Sequence, residues 1–354
     1  MKTDYIVTNL PIKPLEKASI GRITAALIGE FVSKKIDCNY TLSLNTLNSY
    51  EDKSQYVDTY LNSIQDIGIH YDYSYVDSEH INKYLEIIEE LMFKGIIVKK
   101  NKPVLRCECG KVDIIKDGIR SYNGASLYEI VGENYVCKEC GGICKEYNEE
   151  GLFFKFDIET SDEMKLFPSY LKKNILQFSE QIKGQELLIS KQRQTGCTIG
   201  KFNIDVDFLW MLYVNSFSEK NIIMVACNRE IFKMYLLNYI NKHINDKNLM
   251  FIAHPFINKP NNMDLKGLMA RYDELYRKLS ILYTIKWHNK ECLYSLDIIN
   301  QISKLGGEKR KILYDAISIP DYVEDNDIEK YFENLFFRQI NIQKDVNKVR
   351  KLVI

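Results

Sequence analysis

No stretch of this chain approaches the roughly 18 consecutive apolar residues of a membrane-spanning helix. The opening residues, MKTDYIVTNLPIKP, lack the long apolar core of a secretory leader. Neither sign of charge is in excess, since Lys+Arg and Asp+Glu number 48 each. Low-complexity tracts and internal repeats are missing as well. No membrane partner is expected, and a cytoplasmic protein with reduced thiols is. Zero net charge removes a global attraction to nucleic acid: no DNA partner is expected, and RNA contact would need a local basic face. The 354 residues suffice for one large α/β domain with a smaller one.

What is present is a pair of cysteine pairs. Cys107-Glu108-Cys109-Gly110 and Cys137-Lys138-Glu139-Cys140-Gly141-Gly142 are separated by 27 residues between Cys109 and Cys137. A tetrahedral zinc needs four soft ligands from two tight turns, and glycine lets each turn wrap the metal. Cys107, Cys109, Cys137 and Cys140 are therefore the candidate zinc ligands. Cys144 lies close enough in sequence to replace one of them. Cys38, Cys197, Cys227 and Cys292 are scattered and read as small core residues.

Along the chain, Tyr5 to Thr8 reads as a buried strand. After Pro11 and Pro14, the residues Ile20, Ile23, Leu27, Ile28 and Phe31 recur at helical spacing, with Ser19 placed as an N-cap. Cys38 to Leu44 reads as a second strand, completing a βαβ unit and implying a parallel sheet. Helices are predicted near 55–67 (Tyr56, Tyr60, Ile64, Ile67 on one side) and 79–93 (Ile81, Leu85, Ile88, Met92). The cysteine-bearing segment carries short strand-like pieces. A helix is expected after Pro168, and Lys201 to Val214 alternates into an apolar run. Asn221 to Cys227 is a buried strand, followed by a helix through Ile231, Tyr235, Leu236, Tyr239 and Ile240, and by a strand from Leu249 to Ala253. From Leu268 onward the pattern is helical with no clear strand.

Val7-Thr8-Asn9-Leu10-Pro11, followed by Ser19-Ile20-Gly21-Arg22 at a helix start, resembles the opening of class I aminoacyl-tRNA synthetases. The methionyl branch is most similar: there a VT-x-LP strand precedes the HIGH motif. Ile189-Ser190-Lys191-Gln192-Arg193-Gln194-Thr195-Gly196 resembles the ISRQR-x-x-G stretch of the valyl, isoleucyl and leucyl enzymes. Asp207-Phe208-Leu209-Trp210 resembles the VWFDA region, and His254-Pro255-Phe256 the HGF/HGW segment before the KMSKS loop. The order of parts also matches. The resemblance implies an α/β fold with a Rossmann-like parallel sheet of class I synthetase type, a zinc-ribbon or knuckle insertion and a C-terminal helical region. It divides the chain into a first Rossmann-like half (1–100), a zinc-binding insertion (101–156), a second half (157–267) and a helical region (268–354).

The same resemblance implies ATP and zinc as cofactors, an amino acid as substrate, and tRNA or a carrier or small-molecule acceptor as partner. It points to Leu10, Pro11, Ile20 and Gly21 as nucleotide-binding, because a helix N-terminus offers free N–H groups to phosphate. The departures fall on the chemistry. Both HIGH histidines are missing, and the second strand runs into Ser43-Leu44-Asn45-Thr46-Leu47-Asn48 with no carboxylate. The KMSKS position reads Lys259-Pro260-Asn261-Asn262-Met263-Asp264-Leu265-Lys266-Gly267. Arg22, a planar cation suited to phosphate, is the candidate replacement, with Ser19 as a hydrogen-bond donor and Lys266 for pyrophosphate. Each has a plainer reading: Ser19 as a cap, Arg22 and Lys266 as solvated side chains. Lys191 and Arg193 read as phosphate ligands or as an aggregation-blocking strand edge, Trp210 as core or as a substrate wall, and His254 as structural.

Lys309-Arg310-Lys311, with Arg338, Lys344, Lys348, Arg350 and Lys351, reads as a contact for a phosphate backbone or, because Glu324, Asp325, Asp327, Glu329 and Glu333 lie between these groups, as a solvated helix face of both signs. Three functions are thus in view. The first is an enzyme forming an aminoacyl adenylate. The second is a catalytically inactive relative that binds a nucleotide, an amino acid or a protein. The third is a zinc-dependent RNA-binding adaptor.

Overall fold

Apolar runs of five to seven residues alternate with amphipathic helices at both ends of the described chain, and this alternation builds one parallel sheet. The computed structural model describes residues 4–14, 20–47, 54–116, 126–156, 164–192, 197–258 and 291–293. The first part runs β1 (Tyr5–Asn9), α1 (Ile20–Lys35), β2 (Asn39–Leu44), α2 (Val57–Asp66), β3 (Tyr73–Val76) and α3 (Ile81–Phe93). The cysteine-bearing part holds β4 (Ile97–Arg106), β5 (Asp113–Ile115), β6 (Tyr128–Val131), β7 (Asn134–Cys137) and β8 (Lys145–Lys155). Next come β9 (Lys165–Phe167), α4 (Lys172–Ile182), β10 (Glu186–Leu188), β11 (Ser190–Lys191), β12 (Thr198–Ile199) and β13 (Phe202–Ile204). The last described elements are α5 (Val206–Leu212), β14 (Asn221–Cys227), α6 (Ile231–Ile244), β15 (Asn248–His254), β16 (Phe256–Asn258) and β17 (Glu291–Leu293).

Six strands form a fully parallel sheet in the order β3-β2-β1-β14-β15-β9. Chain order runs outward from β1 through β2 to β3 in one direction and from β14 to β15 in the other, with β9, earlier in the chain than β14, added at that edge, so the sheet reverses between β1 and β14. In such a fold the carboxyl ends of the two strands at the reversal frame the ligand crevice. Strands β14 and β15 are buried over nearly their whole length, as their unbroken IIMVA and LMFIA runs require. Helix α1 packs so closely that a Cβ on Gly29 would lie 2.5 Å from the Tyr40 ring.

Two expectations are corrected here. The periodicity of 79–93 selected Ile81, Leu85, Ile88 and Met92, but α3 buries Tyr84, Ile87, Ile88 and Leu91, and the other three lie half-buried. The Tyr84 hydroxyl, 2.8 Å from that of Tyr75, anchors this rotated face. The region after Leu268 was read as having no clear strand, yet Glu291–Leu293 is a strand paired in parallel with β16. Isolated three-residue strands carry too little period to register in a sequence pattern.

The long strands β4 and β8 pair antiparallel from Ile97↔Phe154 to Arg106↔Lys145, flanked by β10 and β5. At the base of this ribbon, Leu152, Phe154 and Phe156 join the main core. At its far end Leu105, Cys107, Val112, Ile114, Tyr128, Cys137 and Cys144 make a separate small core. The hairpin β6–β7 completes that end, here called the knob.

Candidate functional site

At the carboxyl end of β1, the side chain of Asn9 acts as a surrogate peptide. Its Oδ1 accepts from Ser43 N (3.1 Å) and from the Tyr40 hydroxyl (2.9 Å), while Nδ2 donates to Ser43 O (2.9 Å) and Leu10 O (3.0 Å). The backbone ladder between β1 and β2 ends at Thr8↔Thr41, so this amide holds the strands together as they part. Beyond it Leu10 N continues the ladder to Val225 O (3.0 Å), and Ile12 bonds across to Ser43 O (2.9 Å). Leu10 and Pro11 therefore sit at the reversal of the sheet on a fixed backbone. Helix α1 begins at Ile20, so Ile20 and Gly21 form its N-terminal turn. Arg22 is half-buried one position later and donates from Nη1 to Lys13 O at 3.1 Å, tying the helix start to the loop after β1. Ser19 and Lys266 lie outside the described residues.

Sequence reasoning found no carboxylate after β2. The structure brings one from the end of β3. Asp77 is fully buried and accepts from Asn45 Nδ2 (2.6 Å), Thr46 N (2.7 Å), Thr46 Oγ1 (2.9 Å) and Leu47 N (3.2 Å). Burial pushes its pKa up to about 6, against the pull of these hydrogen bonds. An Asp directly before a helical stretch was the available signal, but its target lies 30 residues upstream.

At the carboxyl ends of β14 and β15 and along the 190–210 segment lie groups held in structural contacts. His254 is buried with Nδ1 2.9 Å from Pro255 O, and burial lowers its pKa to about 4, so the ring is neutral at physiological pH. Arg229, just after β14, stacks its guanidinium 3.4 Å from the Phe256 ring centroid. Lys191, one of the candidate phosphate ligands, is instead nearly buried. Its ammonium meets Asp205 Oδ2 at 3.6 Å and donates to Asp113 O. Asp113 in turn accepts from Arg106 Nε (2.7 Å) and Gln192 N (3.0 Å), so the 190–192 segment is clamped to the base of the knob. Trp210 is half-buried beneath the Lys233 ammonium, 4.7 Å from its ring. Arg193 lies outside the described residues.

In the knob, each thiol pair closes a tight turn on a left-handed glycine: Gly110 (φ 70°) with Gly110 N donating to Cys107 O, and Gly141 (φ 68°) with Gly141 N donating to Cys137 O. The Sγ atoms of Cys107, Cys109, Cys137 and Cys140 all lie within 4.8 Å of one another. Cys107 and Cys109 are 3.0 Å apart, and Cys109 and Cys137 3.7 Å. Zinc–thiolate bonds of about 2.3 Å put tetrahedral sulfurs about 3.8 Å apart, so the set fits a zinc ion. Backbone donors face the sulfurs: Val112 N reaches Cys107 Sγ at 3.3 Å. Burial pushes the Cys137 thiol up, but hydrogen bonds from the amides of Cys140 and Glu139 outweigh it and hold it near about 7. A proton shared with Cys107 pushes Cys109 up to about 12. Burial and the neighbouring thiols push Cys144 up to about 11. Four thiols crowded within this distance are suited to a divalent cation, whose binding releases thiol protons.

No protein-family model matches the chain, and no curated protein matches it in sequence. Solved structures do. Mycobacterium tuberculosis methionyl-tRNA synthetase bound by methionyl-adenylate aligns with a TM-score of 0.65 at 13% identity, covering 98% of this chain and 84% of that one. A second structure of that enzyme in complex with methionyl-adenylate gives 0.66 at 12%, covering 98% and 82%. The apo form gives 0.63 at 13%, covering 99% and 79%. The chain has a class I synthetase-like fold. Within this fold, the reversal between β1 and β14 and the four-thiol cluster are the two features with chemical potential. No described helix is long and apolar enough to cross a membrane.

Proposed function

We propose that this chain is a cytoplasmic, ATP-dependent amino-acid-activating protein of class I synthetase type that passes the acyl group to tRNA or to another acceptor. The observation that carries the reading is the parallel sheet reversing between β1 and β14, with the start of α1 following β1 at that point. A likeness over 98% of the chain to a synthetase that binds methionyl-adenylate supports it. In this reading residues 1–100 and 157–267 form the two halves of the catalytic domain, 101–156 the zinc-bearing insertion and 268–354 a C-terminal region.

The amino acid's carboxylate oxygen attacks the α-phosphorus of ATP. The bond to the bridging oxygen breaks, and pyrophosphate leaves. The protein's part is positioning and charge stabilisation. Leu10 and Pro11 supply a rigid floor, and Ile20 and Gly21 present the helix N-terminus to the phosphates. Arg22 adds a permanent planar cation, Ser19 a hydroxyl donor, and Lys266 a charge for pyrophosphate. Cys107, Cys109, Cys137 and Cys140 would hold a zinc ion, which would supply a structural crosslink for the knob.

A second reading is a catalytically inactive relative that binds a nucleotide, an amino acid or a protein. It is favoured by the missing HIGH histidines and by Lys191 being held against Asp113 and Asp205. Each lost preorganised donor costs about 10²–10³ in rate. ATP–pyrophosphate exchange across all the amino acids separates the two. Exchange with one amino acid is the expected result. ATP binding without exchange supports the second reading, and neither binding nor exchange defeats both nucleotide readings.

A further inference from the structure

The knob holds one more thiol than a tetrahedral metal needs. The glycine pair after Cys140 turns the chain back along β7. Cys137 N donates to Gly142 O (2.9 Å), Cys144 N donates to Tyr135 O (2.7 Å), and Val136 bridges Ile143 antiparallel. Residues opposite each other in such a pair share a face, and successive residues alternate. Tyr135, Cys137 and Cys144 therefore lie on one face, while Val136 and Ile143 lie on the other. Ile143 is accordingly 58% exposed, whereas Cys144 is buried among Cys107 and Cys137. Cys144 is thus one diagonal step across the strands from a metal ligand, within the same small core.

The four clustered thiols are not equivalent. Cys107 and Cys137 are buried and Cys109 is half-buried, but Cys140 is exposed. Its turn is tight: a Cβ on Gly142 would lie 3.3 Å from its sulfur. The exposed thiolate is the one an alkylating or oxidising agent reaches first.

We propose that Cys144 is a reserve metal ligand: when Cys140 is blocked, the Cys144 thiol gives up its proton to solvent and takes the fourth position. With a metal bound, its bond to Cys140 would break as a bond to Cys144 formed. A bound ion would thus be kept by exchanging Cys140, the exposed member of the four thiols. This rests on the zinc reading above.

The test is metal content and cobalt spectroscopy on the full chain. Zinc per chain and zinc affinity are measured for the wild type, Cys140→Ser, Cys144→Ser and the double variant. Each single variant is expected to hold one zinc with affinity within about tenfold of the wild type, and the double variant to bind at least about a hundredfold more weakly. Cobalt-loaded Cys140→Ser is expected to retain the thiolate-to-metal absorption of a four-sulfur site. Loss of zinc from Cys140→Ser as complete as from the double variant, or a three-sulfur spectrum, overturns the proposal. Treating the zinc-loaded wild type with iodoacetamide gives a check that needs no variant. Cys140 is expected to be alkylated first, with iodide as the leaving group, while zinc stays bound and Cys144 stays protected. Release of zinc at that first alkylation overturns the exchange. A wild type without zinc overturns the zinc reading itself.

Discussion

The six-stranded sheet and the cysteine knob are both buried cores, built differently. The sheet packs long side chains such as Met224, Tyr235 and Phe251 in a continuous cluster covered by helices on its faces. In the knob, three of the seven buried residues are cysteines, and the hairpin beside them leaves Ile130 and Val131 more than half exposed. A core that small does not offset the entropy of ordering its turns by apolar burial alone. The sheet is therefore a packing structure, and the knob, carried on the β4–β8 ribbon, is in the proposed zinc reading a coordination structure. The clamp of Asp113 on Arg106 and Gln192 ties the base of the knob to the 190–192 segment.

The sharpest way to break this contrast is to remove one ligand. Cys137→Ser, made together with Cys144→Ser so that no reserve thiol takes the vacated position, is expected to abolish zinc binding and unfold the knob, since structural zinc contributes about 10–16 kcal/mol in small zinc-dependent folds. Circular dichroism and metal analysis should show lost zinc with the sheet's helical signal retained. Next in size is Phe251→Ala. Phe251 is fully buried at the centre of β15, and the truncation should cost about 3–5 kcal/mol of global stability in denaturant while zinc stoichiometry stays at the wild-type value.

A third prediction uses pH. The Asp77 carboxyl is raised from 3.8 to about 6 by burial, so the folded state holds its proton more tightly than the unfolded chain does. Its stabilising contribution is therefore full below the unfolded value and is lost as pH rises through about 6. Compared with Asp77→Asn, the wild type should gain about 1 kcal/mol between pH 7.5 and 5, approaching about 3 kcal/mol below pH 4. A stability gap that is flat across this window contradicts the assignment. Smallest is Gly29→Ala. The added methyl would meet the Tyr40 ring, whose hydroxyl is fixed on Asn9, and the overpacking should cost about 1–3 kcal/mol by thermal unfolding.

The sheet was largely legible in the sequence. The buried runs of β14 and β15 and the βαβ opening have unambiguous periods, and their spacing sufficed to place a parallel sheet. The thiol cluster was legible because metal-ligand spacing is a local code. What escaped depends on contacts between distant segments. Asp77 serves a loop 30 residues away, and Lys191 reads as an exposed cation until Asp113 and Asp205 are folded against it. The alternation through 202–212 conceals a strand-to-helix change at Asp205, whose carboxylate caps α5 by accepting from Asp207 N at 3.2 Å. On α3 the buried centre of the face falls on Tyr84, Ile87, Ile88 and Leu91, while Ile81, Leu85 and Met92 pack half-buried against the same core.

Hydrogen–deuterium exchange on the zinc-loaded protein, before and after chelation, tests most directly whether one core is packed and the other coordinated. Amides of β6, β7 and Cys144 are expected to lose their protection when zinc is removed, while those of β14 and β15 keep theirs. Simultaneous loss of protection in both regions, or no change in the knob, would contradict it.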